Sequence, residues 1–271
     1  MTYDNGGDLL PGMTPVVNAS GQPEPVHAAV KDDTLGVPAV EGVVFHRIEQ
    51  SAANLGRHVL HDARSLAYDA AELLTSTGPL KTVMHACTVA PWDQGDIGSC
   101  TANAALGLLV TEPFAVAGRA YTEQDAVALY SEETKLDNRQ IPGSYPPDDT
   151  GSTGVWSMKA LKARGLIRGY RHAFSLDTAL RLLQQYPVST GLPWFNSMFN
   201  VDKDNTIDVD QASGLAGGHQ VAIVGIDVDR KAVRVRNSWG AGWADGGYAW
   251  LKWSDWSALL RLHGDVVVPE V

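Results

Sequence analysis

The chain holds two cysteines, Cys87 and Cys100. Cys100 closes the stretch PWDQGDIGSC and opens TANAALGLL. A thiol attacks as its thiolate, and an ordinary thiol is mostly protonated at neutral pH. The first turn of a helix favours the anion, because unpaired N–H groups and the helix dipole face it there. Ala102, Ala105, Leu106 and Leu109 recur at i, i+3, i+4 and i+7, which predicts a helix opening at Cys100. Gly98 and Ser99 before it allow a tight turn and a close approach by a substrate backbone. Taken alone, the stretch reads equally well as a buried cysteine filling a small space.

A nucleophilic thiol needs a base, and the base needs an orienting group. Of the eight histidines, His219 stands apart: it follows AGG and opens QVAIVGI, a β-branched run that predicts a buried strand. By itself it is as readily a hydrogen-bonded core histidine. Asn237, in RVRNSWGAGW at the end of the next expected strand, can orient the imidazole. Trp239, two residues on, can cover that hydrogen bond. An acyl-transfer site also requires donors for a developing oxyanion. The Cys100 N–H is one, and Gln94 can fold back across GDIGS to offer its side-chain amide.

Together these motifs resemble the papain-like cysteine peptidases. Gln94, Gly95, Gly98, Ser99, Cys100 and Ala102 match the family's Q-G-x-x-G-S-C-x-A block. GGHQVAIVG matches its histidine motif, and Asn237, Ser238, Trp239, Gly240, Trp243, Gly247 and Tyr248 match N-S-W-G-x-x-W-x-x-x-G-Y. The resemblance spans residues 85–255 and implies an α+β, two-lobe fold. A helical lobe would carry Cys100, a β-barrel-like lobe would carry His219 and Asn237, and a cleft would lie between them. It implies Cys100 as nucleophile, His219 as base and then acid, Asn237 as orienting group, and Gln94 with the Cys100 N–H at the oxyanion. Ser99 and Trp239 would support them. By position, Gly151, Ser152 and Gly154 in DTGSTG resemble the wall along which such enzymes lay a substrate backbone, and Gly218 is a further substrate-binding candidate. No metal and no cofactor is required.

The elements that must position these residues follow from local pattern. Ala67–Leu74 suggests a short helix, and TEQD (Thr122–Asp125) a capping box before a second. STGVWSMKALKARG predicts a helix stopped by Gly165; SLDTALRLLQQYP predicts another, N-capped by Ser175 and ended before Pro187. PVSTGLPW, HQVAIVGIDV, AVRVRNSW and GYAWLKW predict strands, with DVDRKA a hairpin loop. Helices up to residue 186 and strands beyond it indicate α+β rather than alternating βαβ units. The expected organisation is an extended arm over 1–45, an extension or propeptide-like segment over 46–84, and a catalytic domain over 85–271. Its helical lobe would run from 92 to 186 and its β-rich lobe from 187 to 265.

The remaining composition narrows the partners. The chain of 271 residues is 44% apolar and 19% charged, with a formal charge of −10. An acidic chain without a basic run argues against nucleic acid and against an anionic membrane surface. The expected partner is a peptide or protein substrate, with a homo-oligomer or assembly partner docked by the arm. The N-terminus shows neither a basic region nor an apolar run, so no secretory signal is expected; the setting would be cytoplasmic or phage- or virion-associated. VDKDNTIDVD alternates Asp202, Asp204, Asp208 and Asp210 but lacks the glycine and distal glutamate of a calcium loop, so a polar hairpin is expected. Cys87 is expected to be a reduced, buried, non-catalytic thiol. Lysosomal and plant members of the family carry a disulfide cysteine where Ile97 stands and a tryptophan where Thr101 stands; GSCTANA is closer to bacterial and phage members. Two other functions suit the same residues: an amidase or transferase on cell-wall amide bonds, or a structural virion component with little turnover.

Overall fold

The computed structural model describes residues 43–52, 54–138 and 140–271. The expected arm therefore lies, up to residue 42, outside the described residues.

The helical part is built around α1 (Cys100–Leu109), all ten residues of which are buried. A helix apolar on every side must be surrounded, and α2 (Glu123–Leu136) and α3 (Gly154–Ala163) pack against it. The expected capping box is present: Thr122 Oγ1 accepts from the Asp125 N–H, and the Asp125 carboxylate accepts from the Thr122 N–H. Thr153 caps α3 through the Trp156 N–H, and Gly165 leaves it at φ +66°. Ser175 caps α4 (Leu176–Leu182) through the Thr178 N–H.

Seven strands form one antiparallel sheet among the described residues. In chain order they are β3 (Val83–Met84), β4 (Gly169–His172), β5 (Val188–Phe195), β6 (Leu215–Asp227), β7 (Ala232–Arg236), β8 (Tyr248–Lys252) and β9 (Asp265–Glu270). Their order across the sheet is β4-β9-β5-β6-β7-β8, with β3 also on β6. The four strands and the hairpin loop read from sequence are all present. α1 packs across β6, so the core lies between helix and sheet.

Several expectations are corrected. Ala67–Leu74 is two 3-10 turns, Ala63–Tyr68 and Ala70–Leu73, because the Asp62 and Asp69 side chains each cap a fresh start. The division at residue 186 is not clean. β4 falls within the expected helical stretch and pairs with β9, while α5 (Trp253–Arg261) interrupts the β-rich part.

Ahead of these, β1 (Val43–His46) pairs antiparallel with β2 (Val59–Asp62). The loop closed by this pair, residues 47–58, is called the strap below.

Candidate active site

Cys100 is the first residue of α1, behind Ser99, whose side chain makes no capping bond. The turn before it is held from both sides. The Gln94 N–H donates to Ser238 O at 2.9 Å, Ile97 N–H to Gln94 O at 3.3 Å, and Ser99 N–H to Ile97 O at 2.8 Å. Ser238 Oγ donates to Gln94 Oε1 at 2.5 Å. The nucleophile turn is thereby tied to the residue beside Asn237. Gln94 is buried, and its side-chain amide donates to Ile97 O at 2.7 Å, inside its own turn.

His219 lies in β6, with Nε2 at 2.7 Å from Asn237 Oδ1. An amide oxygen only accepts, so Nε2 carries the proton and Nδ1 is the basic nitrogen. Nδ1 is buried and has no hydrogen-bond partner among the described residues. Trp239 stacks on the imidazole at 4.8 Å and 23°, and Trp194 meets it edge-on at 4.8 Å. The Asn–His bond is thus covered as the sequence led one to expect.

The segment DTGSTG, expected as the wall, is anchored by Tyr130 of α2 and by Asp137 at its C-cap, which were not visible in the sequence. Asp149 accepts the Gly98 N–H at 2.9 Å through one oxygen and the Tyr130 hydroxyl at 2.5 Å through the other. The Tyr130 hydroxyl accepts the Gly151 N–H at 2.7 Å. Ser152 Oγ donates to Asp137 at 2.7 Å, and Thr101 Oγ1 to Glu133 at 2.6 Å. Burial holds Glu133 well above the carboxylate range and raises Asp137 to about 7. One face of α2 therefore ties the nucleophile turn to the wall. Gly154 is corrected: it opens α3 and backs onto Gln220, whose Nε2 lies 2.7 Å from where a Cβ would stand. Cys87 is half-buried rather than buried; its thiol is free and lies 3.3 Å from Thr111 Oγ1.

The strap runs between wall and histidine strand. The N–H groups of Gly56 and Arg57 donate to Gly218 O at 3.2 and 3.0 Å. On the other side the Ser152 N–H donates to Gly56 O at 2.8 Å and the His58 N–H to Ser152 O at 2.7 Å, a parallel bridge. Gln50 Oε1 accepts the Gly218 N–H at 2.9 Å, and Trp239 Nε1 donates to Asn54 O. Of the residues read as substrate-binding, Ser152 and Gly218 bond the strap through their backbones, and Gly151 packs against it, a Cβ there standing 2.3 Å from Gly56 O.

Burial sets the protonation of the site. Cys100 and His219 are both 0% exposed. Burial pushes the Cys100 thiol up to about 12, against smaller opposing effects from the N–H of Gln220, the Arg57 charge and the N–H of Gly56. Burial likewise drives His219 down to about 4, opposed by its bond to Asn237. With the strap seated, thiol and imidazole are both neutral.

Residues 170–257 match the family model of the papain family cysteine proteases. An uncharacterized peptidase C1-like protein of Acanthamoeba polyphaga mimivirus is 27% identical over 192 residues, 58% of this chain and 62% of the relative. The chain therefore spans less than two thirds of that relative's length. Among solved structures, xylellain, a cysteine protease from Xylella fastidiosa, aligns with a TM-score of 0.57 at 20% identity, covering 84% of this chain and 99% of its own. Digestive procathepsin L 3 of Tenebrio molitor larval midgut aligns at 0.54 and 16% identity, covering 82% and 77%. The fold is papain-like, and the resemblance drawn from the three motifs holds.

Proposed function

We propose that this papain-like chain is a thiol-dependent peptide-bond hydrolase working through Cys100, His219 and Asn237. The observation that carries the proposal is the imidazole itself. Asn237 fixes the proton on Nε2, Trp239 shields that bond, and Nδ1 is left buried and unpaired as the base. In the acylation step Nδ1 takes the Cys100 proton, Sγ bonds to the substrate carbonyl carbon, and the imidazolium returns the proton to the leaving amine. Water, deprotonated by the same nitrogen, then releases the acid. The Cys100 N–H, at the head of α1, faces the oxyanion; Gln94 joins it when its amide turns from Ile97 O.

Residues 46–84 are, in this proposal, a propeptide-like segment whose strap must leave before substrate enters. Departure admits water and removes the burial that keeps thiol and imidazole neutral, which moves both toward the thiolate–imidazolium pair. A second reading, the same fold with little turnover, draws on the complete burial of Cys100 and His219. Strap-displaced protein incubated with a fluorogenic peptide mixture, with mass spectrometry of the quenched reaction, separates the two. Turnover with a thioester on Cys100 supports the peptidase; accessible, alkylatable Cys100 without turnover supports the other.

A further inference from the structure

α1 carries one side chain that a buried helix does not call for. Its sequence is CTANAALGLL, and Asn103 is its one amide, a weak helix former where alanine or leucine would serve better. Asn103 is 3% exposed. Its Nδ2 donates to Ser99 O and to Ser99 Oγ at 3.2 Å each, and to Glu123 Oε1 at 3.2 Å. These bonds grip the residue ahead of Cys100 and fix which end of the amide is nitrogen. Its Oδ1 is thereby turned away, buried and without a hydrogen-bond partner among the described residues. A buried acceptor of this kind is costly to leave unpaired.

The matching donor belongs to the residue that orients the imidazole. Asn237 is likewise 3% exposed. Its Oδ1 accepts both the His219 Nε2 proton and the Ser238 N–H, at 2.7 and 2.8 Å. Its Nδ2 is then left buried, with no hydrogen-bond partner among the described residues. Asn103 and Asn237 line one small recess, together with Trp92, Ala104, Arg236 and Ser238. The recess offers the centre of a water molecule about 10 Å³, room for one. Water accepts from an amide N–H and donates to an amide oxygen, so a single molecule satisfies both orphaned groups. The Nδ2 protons and the Arg236 guanidinium would repel a cation there, and Asn103 Oδ1 an anion.

We propose that Asn103 is a positioning residue of the triad, acting through one internal water held between its Oδ1 and Asn237 Nδ2. The water holds the far end of the Asn237 amide, so that Oδ1 keeps facing His219 Nε2. Asn103 thereby links the head of the nucleophile helix to the orientation of the base. For its effect on turnover the proposal rests on the peptidase reading, and its first two measurements need no turnover. A high-resolution crystal structure of the full-length chain should show one ordered water within hydrogen-bond distance of both atoms. A dry recess, or a water touching only one of the two amides, overturns the proposal. In the isotope-labelled full-length chain, solvent exchange of the His219 Nε2 proton is followed by NMR. Asn103→Leu should speed it at least about tenfold, the scale of one lost hydrogen bond. Asn103→Asp keeps an acceptor oxygen for the water while altering the bonds to Ser99, and should hold exchange within about threefold. Equal acceleration in both variants, or none in a folded Asn103→Leu chain, overturns the proposal and makes Asn103 an anchor of the turn alone. In the Gly56→Ala chain, whose added methyl group leaves the strap no seat against Gly98, Asn103→Leu should lower kcat at least about tenfold with KM within about twofold. A change confined to KM overturns the positioning role. Absence of turnover in Gly56→Ala itself, with Cys100 alkylatable, overturns the peptidase reading, while the crystal structure and the exchange rates still decide the water.

Discussion

Gly56 and Gly98 meet backbone to backbone: a Cβ on Gly56 would stand 2.1 Å from the Gly98 carbonyl oxygen. The strap therefore lies on the nucleophile turn with no room for a side chain. Gly56→Ala must lift it, since neither backbone can yield without breaking the Gly98–Asp149 and Gly56–Gly218 bonds. The expected result is a folded protein whose Cys100 becomes reactive. With iodoacetamide near neutral pH, Cys87, which is half-buried, should be alkylated before Cys100 in the unaltered chain, and Cys100 first in Gly56→Ala. Peptide mapping after timed quenching reads the order, and an unchanged order would mean the strap does not guard the thiol.

Cys100→Ala in the Gly56→Ala background should abolish peptide hydrolysis while leaving thermal stability within about 1 kcal/mol, the scale of removing a small buried group. Asn237→Ala should lower kcat more than it raises KM, because it frees the imidazole to turn and lets the proton move off Nε2. Steady-state kinetics on both variants check this, and residual turnover in Cys100→Ala would remove the nucleophile from the mechanism.

Acid should release the strap. His58 accepts the Ile48 N–H at Nδ1 and faces Thr150 O with Nε2, and burial, with Arg47 and Arg57 nearby, lowers it to about 4. Its ordinary value is 6.5. Between those values the released strap binds a proton that the seated strap does not, so seating is lost as pH falls from 6.5 toward 4. One proton gives up to about tenfold in the opening equilibrium per pH unit. His219, also lowered by burial, adds in the same direction. Amide exchange over residues 50–58, corrected for intrinsic rate, should accelerate through this range, and less so in His58→Gln. Identical pH profiles in the two proteins would exclude His58 as a trigger.

Tyr130→Phe keeps the shape of a fully buried ring but strips the Gly151 N–H and one Asp149 oxygen of their partner. The expected loss is about 1–3 kcal/mol, the cost of a buried polar group left unpaired. Denaturant unfolding measures it. A neutral result would show that water replaces the hydroxyl and that α2 does not tie down the wall.

Cys100, His219 and Asn237 were legible as candidates because each sits in a local pattern: a helix start for Cys100, a strand for His219, which lies four residues inside β6 rather than at its entry, and a strand end for Asn237. Thr122 and Ser175 were legible as caps for the same reason. What supports the triad was not. Tyr130, Glu133 and Asp137 occupy an ordinary helical face, and only the tertiary fold brings that face under Gly98 and Ser152. Asp265 and Arg57 are 208 residues apart, and no local period connects them. Gln94 shows the converse: its amide donates one hydrogen bond to Ile97 O, a contact invisible in the pattern.

β9 has a consequence for synthesis. It is inserted between β4 and β5, both of which leave the ribosome before it, and it supplies the acidic anchor for Arg57. A nascent chain that has exposed Cys100, His219 and Asn237 still lacks that anchor and the strand that joins β4 to the rest of the sheet. The three residues are therefore translated before the strap can be locked over them. Because a papain-like hydrolase able to cut peptides endangers its own unfinished chain, the late strand would delay completion of the sheet and of the lock together. Activity and its restraint would then arrive in one cooperative step rather than in sequence.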